Sequence, residues 1–380
     1  MCRISFYQVQ LQLSMSLRRL LYFIFFSATG CVEPYEFVIQ NNEPGLAVEA
    51  YISDKSFNET LDYPSDGRYF TVKLRTTSNV TNIHDNPVQF AQVQLFNDAG
   101  ESWEYLESAP GIYTLFNDEF SAVEAVRYKL TIKLPDESAI ESDWVQLPVA
   151  APAPMGEIVH REENIQKYKI ELGKEVIVTA KGIRTEIAIP ENNTGKSIFY
   201  RWSFVPHWIY KAPFASGDSP GFICWVTDPF YIRNYSLLQM NGAGSIKKDL
   251  FFMETIRNER IFEKFSALIV EQVMHEEYFN FWKEMQERNE SGAIFNKPPF
   301  NLYTNYQVLS GDARVSGYFG IVREQAKRWY FDKTELSYYV DNTLARDCSV
   351  PFQDPAPECF DCLEYSKGTP SNIKPVWWID

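Results

Sequence analysis

Positive charge is in short supply. The chain has 36 Lys and Arg against 50 Asp and Glu, a formal charge of −14. Phosphate backbones are held by basic footprints, so this balance argues against nucleic acid as a partner. Histidine is scarcer still: His84, His160, His207 and His275 are scattered singly, and none stands at ligand spacing from Cys359-x-x-Cys362 to complete a zinc site. A helix needs about 20 apolar residues to span a bilayer, and the apolar run Leu20 to Phe26 is far shorter. Signatures of catalysis are missing too: there is no Gly-x-Ser-x-Gly elbow and no His-Glu-x-x-His helix. Gly242-Ala243-Gly244-Ser245 is too short for a phosphate loop and reads as a turn. Asp54, Asp62, Asp66, Asp85, Asp98 and Asp118 lack the alternation of a calcium loop. These absences lead to an expectation of no catalytic residue, no metal and no cofactor. Fifty acids still offer many carboxylate pairs for glycoside hydrolysis, among which sequence cannot choose.

What is present is enough for packed cores. The hydrophobic share is 45% and the charged share 23%, unlike a disordered chain, and 380 residues suggest two domains at roughly 150 each. The aromatic share of 16% favours half-buried strands.

The N-terminus carries an address. Arg18-Arg19, the apolar run from Leu20 to Phe26, and Ser27-Ala28-Thr29-Gly30 before Cys31 form a basic region, a short apolar region and a small-residue cleavage site. Residues 1–30 therefore read as a signal peptide, with Met15 as the expected start. Cleavage before Cys31 predicts a lipidated cysteine at the new N-terminus, although Ala28 stands where Leu is usual. Residues 31–44, with Glu33-Pro34 and Asn41-Asn42-Glu43-Pro44, read as a polar tether.

Alternation then sets in. Leu46, Val48, Ala50 and Ile52 alternate with Ala47, Glu49, Tyr51 and Ser53, the period of a strand with one buried face. Phe70, Val72 and Leu74 repeat it. Val93 and Leu95 lead through Asn97-Asp98-Ala99-Gly100 to Trp103 and Tyr105, a hairpin. Tyr128, Leu130 and Ile132 follow. This pattern predicts an immunoglobulin-like β-sandwich over 45–147. A Pro/Ala linker at 148–155 predicts a boundary, and 156–380 reads as a larger β-rich domain. Within it Tyr278, Phe281, Trp282 and Met285 recur at helical spacing, predicting one amphipathic helix near 275–288 packed on a sheet. Acids in His275-Glu276-Glu277 suit a helix N-terminus better than a metal site.

Cys224, Cys348, Cys359 and Cys362 are an even set in an exported chain, which predicts two disulfides with three pairings open. His207, Trp208, Tyr210, Phe214, Phe222 and Trp225 concentrate aromatics in a segment without clean alternation. They are the candidate interface for a partner or a sugar. Phe295 to Asn301 reads as a connector or contact loop.

Several of these segments, in order, resemble a family. Leu46 to Ile52, Ala91-Gln92-Val93, Gly111-Ile112-Tyr113 and Tyr128 to Ile132 are followed by Cys224-Trp225, Phe281-Trp282 and Gly292 to Phe295 before Pro298-Pro299. Then come Gly317-Tyr318-Phe319-Gly320, Cys359-Phe360-Asp361-Cys362, Gly368-Thr369 and Lys374 to Trp378. The set is similar to the Bacteroidota lipoproteins grouped as domain of unknown function 4249. The resemblance implies a lipid-anchored outer-membrane protein, on the surface or periplasmic face, often encoded near TonB-dependent transporters. It assigns no catalytic residue. The expected function is therefore a non-catalytic accessory of a TonB-dependent barrel in nutrient uptake, with an independent glycan-binding lipoprotein or a hydrolase as alternatives.

Overall fold

In a computed structural model, residues 45–76, 86–150, 153–192, 195–232, 234–242, 244–291, 303–312, 314–349 and 354–379 are described. The signal region, Cys31 and the tether lie outside them, as do Gly292 to Phe295 and the segment Phe295 to Asn301.

The alternating segments of the first half are strands: β1 (Leu46–Ser53), β2 (Phe70–Thr76), β3 (Asn86–Pro87), β4 (Gln92–Asn97), β5 (Ser102–Ala109), β6 (Ile112–Leu115), β7 (Arg127–Lys133), β8 (Ala139–Ser142) and β9 (Val145–Gln146). A single-turn helix α1 (Phe57–Leu61) follows β1, capped by Ser56 and Glu59 in a reciprocal capping box. β5 changes sheets part-way. Its residues up to Tyr105 pair with β4 and those from Leu106 with β6, so the two layers are joined through one strand. Between the layers Val48, Ile52, Val72, Leu74, Val93, Leu95, Tyr113, Tyr128, Leu130 and Ile132 are buried. This is the sandwich that the period-two pattern predicts.

Beyond the linker come β10 (Ile158–Glu171), β11 (Lys174–Ile189), β12 (Ile198–Lys211), β13 (Ile223–Thr227), β14 (Ser236–Met240), β15 (Ile246–Glu254) and β16 (Lys264–Met274). They are followed by α2 (Glu276–Ser291), β17 (Tyr306–Ser310), β18 (Val315–Asp332), the short helix α3 (Leu344–Asp347) and β19 (Thr369–Ser371). The protein is mainly β. A second core forms around Trp202, Trp208, Phe265, Ile269 and Phe331. α2 lies on the outside, where Tyr278, Phe279 and Phe281 pack with Phe199, Tyr318 and Val322.

The first core is completed from far along the chain. β17 pairs with β8, and the first eight residues of β18 run parallel to β1. Tyr306, Phe319 and Ile321 thus join the sandwich core. The rest of β18 pairs with β16 in the second core, so this one strand serves both, and Pro44–Asp380 form one compact unit. The Gly317-Tyr318-Phe319-Gly320 motif makes the seam possible. A Cβ on Gly317 would lie 1.9 Å from the Val48 carbonyl oxygen, and one on Gly320 would lie 2.2 Å from the Tyr278 ring. Both glycines therefore admit a close neighbour. The linker is held against the same strand. Arg323 donates to the Pro148 carbonyl, Gln325 to that of Ala153, and Lys327 to those of Met155 and Gly156.

Candidate functional site

β12 positions the aromatic segment, and it is a central strand, pairing with β16 on one side and with β13 and β14 on the other. Its even-numbered residues face the core, whereas the odd-numbered face is mostly half-buried and sets apolar Val205 and Ile209 among Arg201, Ser203, His207 and Lys211, which accounts for the irregular pattern around residue 207. It also corrects the expectation of an exposed aromatic surface. Trp208 and Tyr210 are fully buried and His207 nearly so, while Phe222 and Trp225 are half-buried. Of the six candidates Phe214 is exposed, at 38%.

The buried members are held by polar partners. Arg260 lies over the Tyr231 ring at 4.0 Å and the Trp208 ring at 5.0 Å, and the Tyr210 hydroxyl donates to the Glu358 carbonyl. His207 stands edge-on to Trp377, whose indole is covered by the Arg328 guanidinium at 3.5 Å and donates through Nε1 to Asp66. Burial, with Arg328 alongside, pushes the His207 pKa down to about 4. Burial pushes Arg328 down to about 10. The near-terminal tryptophans are thereby docked on the sheet, which composition alone does not reveal.

Two disulfides secure the C-terminal segment: Cys224–Cys362 and Cys348–Cys359, with Cα atoms 5.6 Å and 6.0 Å apart. The expected two bridges are present, and among the three pairings this is the one adopted. The backbone adds to the bridges, since Phe214 N–H donates to the Cys359 carbonyl and Cys362 N–H to that of Gly221. Tail and β12–β13 loop are one unit.

Between this tail and the end of β12 lies a surface cavity of about 270 Å³. Glu259, Asp347, Asp354 and Glu358 line it with Tyr210, Tyr365 and Lys367, and the Cys348–Cys359 bridge forms part of its wall. Glu259 accepts from the Tyr365 hydroxyl and from Lys367, each at 2.7 Å. Burial, then the bond to Glu259, raises the Tyr365 phenol above its usual range, so it serves as a neutral donor. Four carboxylates against one ammonium suit hydroxyl-rich or cationic groups and repel phosphate. Phe360, next in sequence to Cys359, and Phe214, whose N–H donates to the Cys359 carbonyl, are both exposed, with ring centroids 5.6 Å apart. The acids and Phe360 escaped sequence reasoning, although the acid- and proline-rich stretch between Cys348 and Cys359 marks the loop that carries several of them.

Elsewhere His275 lies within 3.0 Å of the Gln146 carbonyl, and Glu276 and Glu277 occupy the first turn of α2. Among the described residues no three His, Cys, Asp or Glu side chains gather as a metal site, and no helix is long and apolar enough to cross a membrane.

The family model described as Domain of unknown function (DUF4249) matches residues 32–328. No curated protein matches the chain.

Proposed function

The chain belongs to this family of unknown function, and from that premise we propose that it is a lipid-anchored lipoprotein of a Bacteroidota outer membrane, acting without catalysis as an accessory of a TonB-dependent transporter or related assembly in nutrient uptake. Support for the address comes from the signal-like residues 1–30 and from Cys31. Two disulfides fit an oxidising compartment.

The observation that carries a binding role is the exposed ring pair Phe214 and Phe360 on the disulfide-held tail and the loop bonded to it, a scaffold whose Cys359 also lines the acidic cavity. Exposed aromatics on rigid backbone lose little entropy on binding and make good anchors. The experiment is purification in mild detergent from the native membrane. A stoichiometric barrel should accompany the protein and be lost from Phe214→Ala/Phe360→Ala, with the melting temperature nearly unchanged. Clean monomers that retain a polysaccharide would replace this reading with an independent glycan-binding lipoprotein, a role for which the polar cavity lining is suited. Cys31→Ser tests the anchor separately, since the variant should leave the membrane fraction.

A further inference from the structure

The hairpin of β10 and β11 outruns the body that supports it. β15 pairs with β11 over Gly182–Ile189, whereas the hairpin continues from Asn164 and Lys181 to its turn at Leu172-Gly173. Both turn residues have positive φ, 50° and 76°, as a two-residue type I′ turn requires. Among the described residues no third strand joins 164–181, which form a two-stranded ribbon, an element of marginal stability by itself.

Residues directly opposite in the ribbon share a face. The face that buries Ile183 at the base continues outward through Gln166/Thr179, Tyr168/Ile177 and Ile170/Glu175. There Tyr168, Ile170 and Ile177 are exposed by 76%, 71% and 61%, and Leu172 at the tip is wholly exposed. A core-facing side thus extends into solvent.

The outer edge of β10 is open as well, since among the described residues it pairs with β11 alone. With Leu172-Gly173 as the turn, Glu171 and Lys174 form the closing hydrogen-bonded pair. Odd-numbered residues of β10 then aim their N–H and C=O groups at β11, and even-numbered ones aim theirs outward.

We propose that this edge pairs antiparallel with the same edge of a second copy of the chain, centred on Gln166. The register follows from charge. Centring on Gln166 sets Glu163 opposite the partner's Lys169 and Arg161 opposite the partner's Glu171. Every neighbouring register brings like charges together. Arg161 meets Lys169 about Ile165, Arg161 meets Lys167 about Asn164, Glu163 meets Glu171 about Lys167, and Lys167 meets Lys169 about Tyr168. Like charges directly opposite destabilise a pair, and unlike charges support it. Charges on an open edge ordinarily deter pairing; in this single register they attract. They also extend a network already in place, in which Arg161 is bound to Glu186 and Asp249, and Glu163 to Arg184.

The same register gives the apolar tip a resting place. Ile170 of each copy comes opposite Glu162 of the other, and Leu172 comes level with His160. Glu162 accepts from the Ser337 N–H and hydroxyl, and His160 stands edge-on to Trp329 and Phe331. Each tip therefore lies beside its partner's segment 335–339, where Tyr339 is exposed.

Cysteine crosslinking in the otherwise unchanged chain tests this. In the proposed register residue 166 faces itself, at the roughly 5.5 Å of a hydrogen-bonded antiparallel pair, within disulfide reach. Gln166→Cys should form covalent dimers under mild oxidation at least 10-fold faster than Ile177→Cys, both variants first matched to the parent by thermal unfolding. Adding Lys169→Glu should slow the reaction about 10-fold, and mixing that protein with one carrying Gln166→Cys and Glu163→Lys should restore it as a mixed dimer. Equal rates for the two single cysteines, or a rate indifferent to Lys169→Glu, would overturn the proposal.

Discussion

Arg68 and Glu324 meet at 2.7 Å, the one on the loop before β2 and the other nearly sealed on β18. The Glu324 carboxylate also accepts from Gln272, its N–H donates to Asp54, and its carbonyl accepts from Tyr63. Arg68 in turn lies over the rings of Tyr51 and Phe70. A buried charge that loses its partner is expensive, whereas replacing both partners with apolar groups is often neutral. Arg68→Met alone should therefore cost about 3–5 kcal/mol in urea unfolding, and the double variant Arg68→Met/Glu324→Leu should recover most of it. An equal loss in both would assign the effect to packing.

Trp208 and Phe214 lie six residues apart and should respond oppositely to truncation. Trp208→Ala removes a fully buried ring and should cost about 3–5 kcal/mol. Phe214→Ala should cost about 1 kcal/mol or less and show its effect in partner recovery. Melting curves beside pull-downs separate the two.

The two bridges close loops of very different length, 138 and 11 residues apart in sequence. On the chain-entropy account, losing Cys224–Cys362 should cost about 5 kcal/mol and losing Cys348–Cys359 about 3 kcal/mol. Paired alanine variants compared by denaturant midpoint give the order. The reverse order would mean that strain or residual structure outweighs loop length.

His207 supplies a pH dependence. Its pKa is held down at about 4 in the fold, against about 6.5 in an unfolded chain. Between these values the unfolded chain binds more protons. Its contribution, about 3 kcal/mol, is present above pH 6.5 and is lost as pH falls toward 4. His207→Gln should flatten that part of the stability–pH curve relative to the parent, while the carboxylates titrate alike in both.

Legibility followed burial. Leu46, Val48, Ala50 and Ile52 point inward as their spacing implies, because a strand with one wet face writes its orientation into the sequence. α2 was readable for the same reason, with Tyr278 and Phe281 buried and Trp282 and Met285 packed partly against them. Trp208 and Tyr210 misled because Val205 and Ile209, apolar on the half-buried face of β12, interrupt the polar beat of Arg201, Ser203, His207 and Lys211. The stacking of Arg328 over Trp377, and the cavity acids gathered from Glu259 to Glu358, were invisible because they depend on where distant segments meet. Nothing local in Tyr168 or Ile170 separates a strand that is covered from one that projects, so the ribbon too needed the fold.

The parallel pairing of β1 with β18 also bears on the order in which the chain can be completed. Leu46 is matched to Val315, and 315 − 46 = 269, so as the polypeptide emerges N-terminus first, β1 waits for some 270 residues before its neighbour exists. Until then one edge of the first sheet is open and Phe319 and Ile321 are missing from its core. Long-range pairings of this kind slow folding and leave edges exposed to wrong partners. The first 150 residues are thus a fragment awaiting its last strands, and nascent chains halted before Val315 should be the species most in need of a chaperone.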